Sequence, residues 1–196
     1  MPSTSSTSVI TINEDLAQIK SIWHSAKCLY DENSVERSIV QVANKIADDY
    51  SSKTPLLIGL MKGAMVFMGR LLTRLPLPLH TDFCHATRYQ GEVKGGDIVW
   101  KHYPSLPVKD RHILFVDDIF DEGKTLAGCV AWARAQGAAS VESVVLVDKQ
   151  HDRKTSGHRP QYVGLQVPDE FVVGYGMDYK DYFRNVNGVF SIDPRT

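Results

Sequence analysis

Asp117, Asp118, Asp121 and Glu122 put four carboxylates within six residues, between the apolar run 113–116 and Gly123-Lys124-Thr125. Gly-Lys-Thr at the mouth of a helix suggests a phosphate cradle. A nucleotide-triphosphate loop would need glycine five residues before Gly123, and that position is Asp118. Capping explains only part of the acidity. Asp121 or Glu122 suits a helix N-terminus, where the helix dipole favours negative charge, but Asp117 and Asp118 end a strand. Adjacent carboxylates repel and drive one another toward the neutral form unless a cation or hydroxyl donors compensate. A ligand of two polarities reconciles these features. A sugar phosphate has hydroxyls that donate to Asp117 and Asp118, directly or through Mg2+, which prefers oxygen ligands. Its phosphate needs N–H donors, which the backbone from Glu122 to Thr125 offers at a helix start, with Lys124 and the Thr125 hydroxyl adding to the cradle. Consecutive strand side chains point to opposite faces, so both aspartates reach one sugar only if the strand has begun to turn there.

The elements that must carry this stretch follow from periodicity. Val35, Ile39, Val42, Ala43, Ile46, Ala47 and Tyr50 form one helical stripe, with Asn33 and Glu36 spaced as a capping box. PLLIGL, residues 55–60, predicts a buried strand, and KGAMVFMGRLLTRL, residues 62–75, a helix apolar nearly all round and therefore deeply buried. Strands are predicted over 79–88, 98–100 and 112–116, a helix over 124–136 ended by Gly137, and further strands over 141–147, 162–166, 171–173 and 189–192. Alternating strands and helices predict an α/β fold with a mostly parallel central sheet flanked by helices. Ligands on such sheets bind beyond the carboxyl ends of the strands. Three suspicious segments fall there: Met61-Lys62-Gly63, residues 117–125, and Asp148-Lys149.

Composition excludes several classes. The chain has 196 residues, enough for one domain with a sizeable core, and residues 1–9 read as a mobile tail. Acids and bases nearly cancel, 23 against 22, which gives no electrostatic reason to expect nucleic acid or an anionic membrane as partner. No apolar run is long enough to span a bilayer, and the start lacks signal-peptide character. Cys28, Cys84 and Cys129 form no CxxC pair and read as reduced packing residues of a cytoplasmic protein; the seven histidines are spaced too widely for a metal motif.

Five segments, in order, carry a family resemblance. ILFVDDIFDEGKTL (113–126) resembles the phosphoribosyl-pyrophosphate (PRPP) signature of type I phosphoribosyltransferases. GLMKGAMVF resembles the pyrophosphate loop of the hypoxanthine-guanine phosphoribosyltransferases, VDKQ their purine-lysine strand, and PDEFVVGYGMDYKDYFRN their C-terminal segment. HATRYQGE with GGDIVW resembles the mobile active-site loop of bacterial members. The resemblance implies a type I phosphoribosyltransferase fold with a small hood built from chain ends. It also implies a reaction joining a 6-oxopurine, hypoxanthine or guanine, to PRPP, giving IMP or GMP and pyrophosphate with Mg2+.

By resemblance, Asp117 and Asp118 engage the ribose hydroxyls and metal, Asp121 is the general base near purine N7, and residues 121–125 hold the 5′-phosphate. Two positions depart from many relatives: Glu122 stands where threonine is common, and Asp117 where glutamate is. Lys62 and Gly63 fall in the pyrophosphate loop, where the family peptide before the lysine can be cis. Lys149 would bond the exocyclic O6, Phe171 stack on the purine, and the Val172 backbone read the base edge. Asp178 would bind a second Mg2+ beside pyrophosphate at the purine end, and Arg184 face pyrophosphate. Arg88 and Tyr89, followed by the turn Lys94-Gly95-Gly96, read as a hairpin lid over the reacting groups. Relatives form dimers and tetramers, so a homodimer or homotetramer is expected. A xanthine-preferring transferase and a non-catalytic PRPP-sensing or nucleotide-sensing regulator on the same fold are the competing readings.

Overall fold

The computed structural model describes residues 12–88, 98–154 and 157–195, without the side chains of residues 12–15 and 88. The expected tail at 1–9, Tyr89 and the turn at 94–96 therefore lie outside the described residues, as does the Arg88 side chain. In chain order the elements are α1 (Ile12–His24), β1 (Lys27–Asp31), α2 (Glu32–Asp49), β2 (Leu56–Leu60), α3 (Ala64–Leu72), β3 (His80–Arg88) and β4 (Ile98–His102). They continue as β5 (His112–Phe120), α4 (Lys124–Ala135), β6 (Ser140–Lys149), β7 (Tyr162–Val167), β8 (Phe171–Val173) and β9 (Gly188–Ile192).

Six strands form the central sheet in the order β4-β3-β2-β5-β6-β7, all pairs parallel except β3 with β4. The central strands β2, β5 and β6 read as continuous apolar runs because helices cover both faces. On one face α2 and α3 pack through Val35, Ile39, Ile46, Phe67 and Leu71 against Leu57, Leu114, Val116, Val144 and Leu146. On the other, α4 packs through Leu126, Cys129, Val130 and Ala133 against Ile58, Ile113, Phe115 and Val145. A separate antiparallel sheet, β1-β9-β8, joins the two ends of the chain into a small hood.

Two local expectations need correction. The cap of α2 is Asp31, whose Oδ1 accepts from the Ser34 N–H at 2.8 Å, not Asn33 with Glu36. Glu36 instead accepts from the Tyr175 hydroxyl at 2.8 Å, tying α2 to the C-terminal segment. Asp31→Ala should lower stability, measurable as a lowered urea midpoint with unchanged slope. The helix α3 is buried on one face only. Met65 is 60% exposed, so its apolar character outruns what the sheet can cover.

Candidate active site

The sheet's carboxyl edge gathers the three suspicious segments. β2 delivers residues 61–63, β5 the acidic turn, and β6 Lys149. Here β5 extends past the predicted end to Phe120, still paired with β6. The alternation of its side chains holds through Asp118 and slips just after it: Leu114 and Val116 pack toward α2 and α3 and Asp118 abuts Gly63 ahead of α3, yet Ile119 packs on that face too, while Phe120 packs toward α4. Both aspartates nonetheless line one cleft of ≈ 340 Å³ at the end of the strand. That volume suits a small ligand rather than a macromolecule.

Gly63, Asp117, Asp118, Asp121, Thr125, Lys149, Phe171, Val172, Asp178 and Arg184 all line this cleft. An adjoining cleft of ≈ 230 Å³ is formed by residues 121–126 with Asp117 and Ile119, so Glu122, Gly123 and Lys124 join the group from the side. Gly123 precedes α4 at φ 76 with no side-chain cap. Glycine permits that left-handed conformation, and the first N–H groups of α4 are left for an anion. Glu122 pairs with Lys124 at 2.8 Å, which turns its carboxylate toward a cation beside the cradle.

Asp118 is buried and its Oδ2 lies 2.3 Å from where a Cβ on Gly63 would stand, so only glycine lets the loop pass. Burial, then the charge of Asp118, push the Asp117 carboxyl well above the usual carboxylate range; burial raises Asp118 as well. Such a pair is suited to ribose hydroxyls or an oxygen-preferring cation, either of which would relieve the repulsion. Among the described residues no three His, Cys, Asp or Glu side chains form a ready cage.

At the other end, Lys149 Nζ donates to Asp121 Oδ2 at 3.1 Å, and His151 Nε2 contacts Asp121 Oδ1 at 2.6 Å. Burial raises the Asp121 carboxyl, but Lys149 and then His151 outweigh it and hold the group below its ordinary value. Phe171 is 40% exposed at the cleft, edge-on to Tyr179 at 5.7 Å, a free aromatic face rather than core packing.

Arg184, Asp178, Asp181 and Lys62 are linked to one another. Arg184 reaches Asp178 at 2.6 Å and Asp181 at 3.2 Å, and donates to the Gly176 carbonyl. The Met61–Lys62 peptide is cis. Lys62 is not among the cleft-lining residues; its ammonium pairs with Asp181 at 3.0 Å. Sequence reasoning missed Asp181 and His151. The histidines were weighed only for metal spacing, although His151 stands two residues after Lys149.

The comparisons with known proteins agree with this geometry. The phosphoribosyl transferase domain family matches residues 25–180. The hypoxanthine-guanine phosphoribosyltransferase of Bacillus subtilis is 33% identical over 169 residues, covering 86% of this chain and 93% of that protein. The bifunctional protein TilS/HprT of Listeria innocua is 34% identical over 169 residues; the match covers 86% of this chain but only 26% of that longer protein. A crystal structure of a hypoxanthine phosphoribosyltransferase from Staphylococcus aureus superimposes with a TM-score of 0.83 at 28% identity, covering 89% of this chain and 96% of that one. Cleft, cradle and sequence similarity together show that this chain belongs to the phosphoribosyl transferase domain family, among the hypoxanthine-guanine phosphoribosyltransferases.

Proposed function

We propose that this protein is a purine salvage enzyme. It transfers the 5-phosphoribosyl group from PRPP to N9 of hypoxanthine or guanine and releases pyrophosphate. One observation carries the reading: a single cleft joins a carboxylate pair, beside a helix N-terminus open to an anion, to an ammonium and an exposed aromatic ring at the purine end.

Asp117 and Asp118 accept from the ribose 2′- and 3′-hydroxyls, and the amides of residues 122–125 hold the 5′-phosphate. Asp117, Asp118 and Asp178 are the carboxylates that would hold Mg2+, which supplies charge neutralisation for the departing pyrophosphate. Arg184, Lys62 and the Gly63 amide face the same leaving group; Lys62 must first part from Asp181. Asp121 takes or shares the N7 proton, raising electron density at N9, which attacks C1′. Lys149 donates to O6 and discriminates against adenine, whose amino group would confront an ammonium with a second donor. Phe171 stacks on the base and the Val172 backbone reads its edge. Arg88 and Tyr89 are proposed to contact PRPP as well. The proposal includes self-association into a dimer or tetramer, checked by light scattering. It also includes a cytoplasmic location, in keeping with three free thiols and with no helix, among the described residues, long and apolar enough to cross a membrane.

The test is a steady-state panel of hypoxanthine, guanine, xanthine and adenine with PRPP and Mg2+. Turnover with the first two and not with adenine is expected; absence of transfer to any base would reject the reading. Lys149→Ala should raise the KM for hypoxanthine about 10- to 100-fold, the loss of one charged hydrogen bond, and change the KM for PRPP much less. The reverse pattern would remove Lys149 from the purine.

A further inference from the structure

We infer that His151 is a positioning residue for Asp121, forming with it an imidazole–carboxylate dyad that keeps the carboxylate aimed when Lys149 turns to the purine. The inference rests on the proposed reaction and extends it.

The His151 side chain is 3% exposed, and both ring nitrogens are engaged. The backbone N–H of Arg153 donates to Nδ1 at 3.0 Å, so Nδ1 must present a lone pair. The ring hydrogen therefore resides on Nε2, where it donates to Asp121 Oδ1 at 2.6 Å. The second oxygen, Oδ2, has a different partner, the Lys149 ammonium at 3.1 Å. The carboxylate is thus divided: one oxygen on an imidazole N–H, the other on the ammonium assigned to the base.

That division matters when a purine enters. Lys149 is asked to bond O6 while Asp121 meets the N7 proton, so the contact between them must loosen. Asp121 is 43% exposed on the turn after β5 and would then lose a principal anchor. The Nε2–H bond to Oδ1 does not compete with the base and leaves Oδ2 free to receive the proton. An uncharged donor also holds the carboxylate with less loss of basicity than a second cation would. Arg153 does come within 3.9 Å of Oδ1, but its guanidinium is committed to Asp169 by two bonds of 2.6 and 2.7 Å. That fork anchors the loop whose backbone sets the His151 tautomer. It also connects the dyad to the segment just before Phe171, so the base-holding carboxylate and the stacking ring share one support.

The experiment uses the intact protein with hypoxanthine, PRPP and Mg2+. His151→Phe fills the same space without a donor, and His151→Gln places an amide N–H close to the original Nε2. Removing a group that orients a reacting residue lowers turnover about 10- to 100-fold. His151→Phe should lose that much in kcat, with little change in the KM for PRPP, and His151→Gln should recover most of it. A folded His151→Phe protein with wild-type kcat would overturn the inference, as would a His151→Gln protein no better than His151→Phe. Nitrogen NMR of histidine-labelled wild-type protein supplies a readout independent of activity and of variant folding. It should show His151 with hydrogen on Nε2 alone, and a ring protonated only at Nδ1 would refute the dyad. Failure of the unaltered protein to transfer phosphoribose would instead count against the reaction, because the tautomer is read without substrate.

Discussion

Asp121→Asn should lower turnover about 10²- to 10⁴-fold, the range of a positioned general base, while PRPP binding survives. Asparagine keeps an oxygen that can accept from His151, so the turn after β5 retains one of its anchors. It cannot take the N7 proton, and it no longer offers Lys149 a charge. Single-turnover rates with saturating PRPP, beside a direct titration of PRPP binding, separate the two effects. Unchanged turnover would dismiss Asp121 from the chemistry. Its carboxyl is held below the ordinary value, with burial opposing and Lys149 and His151 prevailing. A depressed carboxyl contributes stability above its unfolded pKa and loses it as pH falls through the folded value. The variant should therefore melt below the wild type at neutral pH, and the two should converge in acid.

Gly176→Ala should be the most damaging small substitution, costing about 2–5 kcal/mol from a left-handed backbone and an overlap together. Gly176 has φ +108, and a Cβ there would stand 2.0 Å from the Gly63 carbonyl oxygen and 3.4 Å from Asp118 Cβ. Its N–H donates to the Arg184 carbonyl at 3.0 Å, and its own carbonyl accepts from the Arg184 side chain at 2.6 Å. The obstruction is backbone, so no rotamer change relieves it. Gly176 lies where the loop after β2, the acidic end of β5 and the C-terminal segment converge. The expected result is a lowered denaturation midpoint with a weakened PRPP affinity in whatever protein still folds. Wild-type stability and PRPP affinity would contradict this tight junction.

Much of the site was legible before any coordinates because its chemistry is local. The acids, the glycine and the helix start lie within nine residues, 117–125, and the hydrophobic periods flanking them specify strand and helix without help from the rest of the chain. The hood strands 171–173 and 189–192 were also predicted, with one boundary differing by a residue. The cap of α2 was misread because several adjacent polar residues can start a helix, and the competing demand on Glu36 comes from Tyr175, far away in sequence. The same distance hid the Lys62–Asp181 pair, whose members stand 119 residues apart.

The sequence by itself determined the alternation of buried strands and amphipathic helices and the polarity of the acidic turn. Those depend on side-chain type and on the two short periods of strand and helix. The tertiary structure alone decided that the side-chain alternation of β5 slips after Asp118 and that both aspartates border one cleft. It also decided that Lys62 turns to Asp181, and that Asp121 is divided between Lys149 and His151. Each of these is a choice among partners brought together by sheet order, and a linear pattern carries no record of which buried donor will reach which oxygen first.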